Sequence, residues 1–197
     1  MTMVFYDNAL RMRIHHSEIY KIHQHLDCFI QEKACVKTPY SFKIIPETIH
    51  DSSILLRTAQ PLNLPGEQAK EICLHVGDTL RFITTLAVIR HEIVDGRKKQ
   101  ITPPPEQLES YIHMRLMRAG FGIQSLIVGE PDNIIVRKNR KKQDKPVLVP
   151  ASVIHATCLV NIVEEAEKSL VYGIGRKRIF GFGYLGPFSV NTDDEFY

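Results

Sequence analysis

Gly173-Ile174-Gly175-Arg176-Lys177-Arg178-Ile179-Phe180-Gly181-Phe182-Gly183 sets two Gly-apolar-Gly clips around a five-residue insert that opens with three cations. Glycine reaches positive φ without a Cβ penalty and lets another backbone come close, so each clip reads as a tight turn. Consecutive amide N–H groups in such turns form a concavity suited to phosphate oxygens. Upstream, Asn161 can cap a helix with Glu164 at the matching third position, and Gly173 can end it. Downstream, Phe180, Phe182 and Tyr184 alternate with Gly181, Gly183 and Leu185, which predicts a strand short of side chains on one face. A lone Gly-x-Gly would read as a tight connection. Four glycines placed symmetrically about a basic insert point instead to a polyanion. The loop lacks a Gly-Lys-Ser/Thr ending and follows its helix rather than opening one, so it is neither a P-loop nor a dinucleotide fingerprint.

Working outward, the spacing predicts strands at about 122–128, 134–137 and 147–161, the last with Ile154, Ala156, Cys158 and Val160 on one face. Leu108, Ile112 and Leu116 mark an amphipathic helix ended by Gly120. Between two of those strands runs Arg137-Lys138-Asn139-Arg140-Lys141-Lys142-Gln143-Asp144-Lys145. Such a run is ordinarily a solvated loop. Flanked by strands it becomes a cationic hairpin tip, with Arg137, Lys138, Arg140, Lys141 and Lys142 able to follow a nucleic-acid backbone.

In the first half, Leu10, Met12 and Ile14 alternate with Arg11, Arg13 and His15, a half-buried strand with a basic outer face. Ser17 can cap a helix reaching about residue 32, with Ile19, Ile22, Leu26, Phe29 and Ile30 as its core stripe. His23 borders that stripe, with Tyr20 one turn before it and Asp27 one turn after. Strands follow near 41–46 and 53–58, then a short, weak helix at 67–72 and a long extended run at 79–89. That order, βαββαβ, is one ferredoxin-like unit. Arg97-Lys98-Lys99 and Pro103-Pro104-Pro105 mark a boundary, so the expectation is an α+β chain of two tandem ferredoxin-like domains, 1–100 and 101–197.

At 197 residues and 44% hydrophobic, the chain has material for a substantial core. It carries no run of about 20 apolar residues, so no membrane partner is expected. Cys28, Cys35, Cys73 and Cys158 are scattered, which favours reduced thiols in the cytoplasm over zinc, and no cofactor is expected. The net charge of +3 is unevenly spread. Residues 1–89 hold nine basic and nine acidic side chains, whereas 90–178 hold sixteen against ten. The second half is the electrostatic face, which suits a phosphate-rich partner.

Residues 173–183 fit, without a gap, the glycine-rich loop near the C-terminus of the CRISPR-associated RNA-processing endoribonucleases, and the chain resembles that superfamily of tandem ferredoxin-like proteins. Length and loop position resemble the CasE branch, of subtype I-E systems. The resemblance implies metal-independent cleavage of hairpin repeats in a CRISPR precursor RNA, with a 2′,3′-cyclic phosphate and a 5′-hydroxyl as ends. It also implies partners: the repeat hairpin and other subunits of an effector complex. In CasE-like proteins the first helix carries a catalytic Tyr-x-x-His pair, and Tyr20-Lys21-Ile22-His23 occupies that place. The resemblance thus makes His23 the general acid–base and Tyr20 its aid at the scissile phosphate. Histidine suits proton transfer near neutral pH. Gly173, Gly175, Gly181 and Gly183 shape the RNA-binding loop, with Lys177 the matched cation beside Arg176 and Arg178. Two alternatives stay open: a guide-RNA-holding subunit that does not cut, and a phosphometabolite enzyme using the loop as an anion site.

Overall fold

The computed structural model describes residues 2–35, 38–48, 50–94, 96–137 and 146–191. Its first sheet comes from β1 (Met3–Met12), β2 (Tyr40–Pro46), β3 (Ser52–Thr58) and β4 (Gln68–Ile72), with α1 (Ile19–Ala34) between β1 and β2. The strand order is β2-β3-β1-β4, antiparallel throughout. That is the ferredoxin-like order, reached with one helix instead of two. Ile22, Leu26 and Ile30 of α1 bury against Phe42, Ile54 and Leu56 on one face of this sheet. Ser17 does not cap α1: its hydroxyl lies 2.7 Å from His15 Nδ1, and Glu18 takes the cap position, its carbonyl accepting from the Lys21 and Ile22 amides.

The helix expected at 67–72 is a strand. The Glu67 carboxylate accepts from Asn8 Nδ2 at 3.0 Å and from the backbone N–H groups of Leu62 and Asn63 at 2.8 and 3.1 Å. That clamp turns the chain and lays Gln68–Ile72 antiparallel to β1, with Asp7 opposite Gln68 and Met3 opposite Ile72. Five residues cannot propagate a stable helix, whereas each can pair at a sheet edge.

The second sheet contains β5 (Thr79–Ala87), then, after a detached two-stranded ribbon of β6 (Arg90–Val94) and β7 (Arg97–Ile101), β8 (Phe121–Val128), β9 (Asp132–Val136), β10 (Val147–Val160) and β11 (Phe188–Val190). Its order is β11-β5-β10-β8, with β9 pairing to the first half of β10. The helices α2 (Pro105–Arg118) and α3 (Val163–Tyr172) complete this second unit. The extended run expected to close the first unit is therefore the first strand of the second. Sheet membership changes between Ile72 and Thr79, and a division at residue 100 would cut β5 away from its own sheet. The proline run that reads as a linker opens a helix: Pro105 is the first residue of α2, where its missing N–H costs nothing. Asn161 does not cap α3, and its side chain lies over Gly122 instead.

Ile154, Ala156, Cys158 and Val160 are all buried, as the alternation in β10 predicts. Burial pushes the Cys158 thiol up to about 12, leaving it an inert apolar group. The two units are joined at Arg57, which is 1% exposed. Its Nε and Nη2 donate to the two Asp7 oxygens at 2.7 and 2.9 Å. Nη1 donates to the Leu170 and Leu185 carbonyls at 3.1 and 3.0 Å, and Nη2 also reaches the Tyr184 hydroxyl at 3.3 Å. All five guanidinium N–H groups thus find acceptors, which is what a buried arginine requires. Among the described residues no helix is long and apolar enough to cross a membrane.

Candidate active site

The glycine-rich loop is built by its two clips packing back to back. The Ile174 N–H donates to the Gly183 carbonyl at 2.9 Å, and Gly183 N–H donates to Thr85 of β5 at 2.8 Å. A Cβ on Gly183 would stand 1.8 Å from the Ile174 oxygen, and one on Gly173 2.8 Å from the Gly183 oxygen. Both residues sit at positive φ, so only glycine fits. The strand expected through 180–185 is replaced by a 3-10 turn at Arg178–Phe180 and further turns, because Gly181 and Gly183 are left-handed rather than extended. The expected cradle of free amides is not what most of these residues form: the amides of residues 173, 174, 180, 181 and 183 all bond within the fold.

The insert reaches α1. Phe180 is buried beside Ile19 and Phe182, its ring centroid 6.3 Å from Tyr20 and 6.2 Å from His23, edge-on to the imidazole at 88°. Tyr20 and His23 meet edge-to-face at 6.4 Å. The predicted pair on α1 and the predicted loop are thereby brought together. His23, Asp27, Gln31, Thr38, Tyr40, Tyr172, Arg178 and Ile179 are among the residues lining one open cavity of about 680 Å³.

The three loop cations part company. Arg178 is exposed and lines that cavity with His23. Its Nη1 donates to the Tyr172 and Gly173 carbonyls at 3.3 Å, spanning the end of α3. Lys177 is half-buried in a left-handed conformation. Arg176 turns toward the β6–β7 ribbon, with Nη1 3.2 Å from His91 Nε2. Arg137 is exposed, whereas Lys138, Arg140, Lys141 and Lys142 lie outside the described residues. The strands flanking that basic run do pair, with Val136 opposite Val147, and Val136 and Val149 pack in the same cluster as Ile19 and Phe180.

Tyr40 escapes a reading by motif. His23 Nδ1 lies 3.1 Å from the Tyr40 hydroxyl, which donates to Asp27 Oδ1 at 2.8 Å. Asp27 Oδ2 stands 3.6 Å from His23 Nε2. Burial, then the bond to Asp27 and its charge, push the Tyr40 phenol far above its ordinary range, so it stays a neutral hydroxyl. Asp27 is visible as the helical neighbour of His23. Tyr40 arrives from β2, and no spacing announces it.

No family model matches the chain, and no curated protein matches it in sequence. Solved structures do match in shape. Cse3 of Thermus thermophilus, bound to an RNA representing a pre-cleavage complex, superposes with a TM-score of 0.67 at 15% identity, over 95% of this chain and 98% of that one. The chain shares its fold. The CRISPR-associated protein Cas6e of Escherichia coli K-12 matches with a TM-score of 0.65 at 15% identity, covering 96% of this chain and 99% of its own. A chain of a CRISPR RNA-guided surveillance complex matches with a TM-score of 0.68 at 16% identity, over 94% and 98%. The α+β architecture of two ferredoxin-like sheets is therefore the architecture of these CRISPR proteins across almost the whole chain.

Proposed function

We propose that the protein is an endoribonuclease that cuts hairpin repeats in CRISPR precursor RNA. One observation carries the reading: His23 of the first helix, with Tyr20 edge-on beside it, lines one open cavity together with Arg178 of the basic, glycine-bracketed loop of the second unit. The fold shared with RNA-bound Cse3 supports it.

In this reading the ribose 2′-oxygen bonds to the adjacent phosphorus as the bond to the 5′-oxygen breaks. One proton leaves the 2′-hydroxyl and one reaches the departing 5′-oxygen, giving a 2′,3′-cyclic phosphate and a 5′-hydroxyl. His23, 14% exposed on the cavity wall, is the general acid–base. Tyr20 orients the phosphate, and Arg178 faces the charge that develops on its oxygens. Lys177, Arg176 and the basic run at Arg137, Lys138, Arg140, Lys141 and Lys142 supply backbone contacts along the stem. The partners are the repeat hairpin and, as with the neighbour from a surveillance complex, subunits of an effector assembly.

The proton carriers and the cation are side chains, so cleavage is expected in a chelator. Activity that disappears there and returns with magnesium would refute the metal-independent step. A hairpin with one 2′-deoxy sugar at the scissile position should bind normally and resist cutting, since its nucleophile is missing. A cut deoxy substrate sinks the mechanism.

A further inference from the structure

His23 has two ring nitrogens, and acid–base chemistry at one depends on where the proton of the other sits. The Tyr40 hydroxyl decides this. It owns a single hydrogen, which it donates to Asp27 Oδ1 at 2.8 Å. Toward His23 Nδ1, 3.1 Å away, the Tyr40 oxygen can only accept. Nδ1 therefore carries a hydrogen. Nε2 lies 3.6 Å from Asp27 Oδ2, beyond hydrogen-bond reach, and makes no hydrogen bond to the described residues.

We propose that Asp27 and Tyr40 are positioning residues: the carboxylate orients the phenol, and the phenol holds His23 as its Nδ1–H tautomer with Nε2 left for the substrate. This rests on the reading of His23 as the acid–base residue. The elements fit the task. Asp27 stands one helical turn from His23 on α1, so their separation is rigid. Tyr40 opens β2 and packs on Phe42 with ring centroids 6.0 Å apart, in the core cluster that β2 shares with α1, which holds the ring in place. The phenol stays neutral because burial and the Asp27 charge oppose its ionisation. Neither residue carries a positive charge, so the phosphate backbone is held by the cations, of which Arg178 lines this cavity from another element.

The test compares full-length native protein with Tyr40→Phe, Asp27→Asn and His23→Ala. It measures single-turnover cleavage and affinity for a repeat hairpin, and records imidazole ¹⁵N spectra. Tyr40→Phe keeps the ring packing and removes the acceptor. The amide introduced by Asp27→Asn can donate to the phenol, freeing its hydroxyl to donate to Nδ1 and forcing the hydrogen onto Nε2. Both variants should cut about 10–10²-fold more slowly with unchanged affinity. In both, the His23 spectrum should move from the Nδ1–H toward the Nε2–H pattern, a change that a merely structural role would not produce. If His23→Ala stops cleavage while both variants cut at the native rate with the native tautomer, positioning is overturned and the functional reading stands. If His23→Ala itself cuts at the native rate, the functional reading falls and this proposal falls with it.

Discussion

Two clusters with the same three ingredients sit in this molecule. Arg57, Asp7 and Tyr184 form one, and His23, Asp27 and Tyr40 the other. Each joins a nitrogen-bearing side chain, a carboxylate and a phenol brought from separate segments of the chain. In the first, every guanidinium hydrogen has an acceptor and the side chain is 1% exposed. In the second, the imidazole keeps one nitrogen without a hydrogen bond to the described residues and borders a cavity of about 680 Å³. Closure makes the first cluster a joint; openness makes the second a candidate for chemistry. Residue type does not separate them. Saturation does.

The largest separation should come from His23→Ala. The imidazole belongs to the open cluster, and Arg178, the loop cation that lines the same cavity, stands on another element. Cleavage should fall by about 10²–10⁴-fold, the usual contribution of general acid–base groups, while hairpin affinity holds. Single-turnover assays beside binding titrations check this. Native-rate cleavage would show the open cluster to be as structural as the closed one.

Asp7→Ala strikes the closed cluster. It leaves a buried guanidinium without its counter-charge, and breaking such pairs costs about 3–5 kcal/mol. Chemical denaturation should show the loss. Cleavage per folded molecule should stay within a few-fold of native, because Asp7 does not line the cavity. A stable variant with impaired cleavage would reverse the assignment.

Gly183 connects the two clusters, since Tyr184 follows it and Phe180 lies just before the same clip. Gly183→Ala places a Cβ against the Ile174 oxygen at positive φ, a clash with backbone that cannot yield. It should destabilise by about 3 kcal/mol and weaken RNA binding together. Gly175→Ala is the control: its Cβ meets only Leu86 Cδ2 at 3.6 Å, so the cost should be near 1 kcal/mol from φ alone. Equal effects at the two positions would mean that the clips are not locked to each other.

The strands and helices with clean periodicity were legible in the sequence. The α1 stripe through Ile19, Ile22, Leu26 and Ile30 is buried as its spacing requires, and so is the inward face of β10. Local signals failed where a distant partner decided the outcome. Residues 67–72 look weakly helical in isolation, but Asn8 and the backbone of residues 62 and 63 fasten Glu67 and deliver a strand. The run at 79–89 has no local mark of which sheet it joins, and only β10 and β11 settle that. At the site, motif spacing yields Tyr20, His23 and the loop. It cannot yield Tyr40, which meets His23 only after β2 folds under α1.

The mildest test is Tyr184→Phe, the closed-cluster counterpart of removing a phenol beside His23. Burial pushes the Tyr184 phenol up to about 12, so across the working pH range it is a neutral hydroxyl offering one acceptor to Arg57. That bond, 3.3 Å from Nη2, is the longest of the five around the guanidinium, and Asp7 Oδ2 already holds the same nitrogen at 2.9 Å. The ring also lies 4.9 Å from the guanidinium carbon, a contact that phenylalanine keeps. Losing the hydroxyl should therefore cost about 1 kcal/mol, the net worth of an ordinary hydrogen bond, and no cleavage at saturating RNA. If instead Tyr184→Phe slows cleavage without lowering stability, strain at Arg57 must reach α1 through the loop, and the two clusters could no longer be treated as independent.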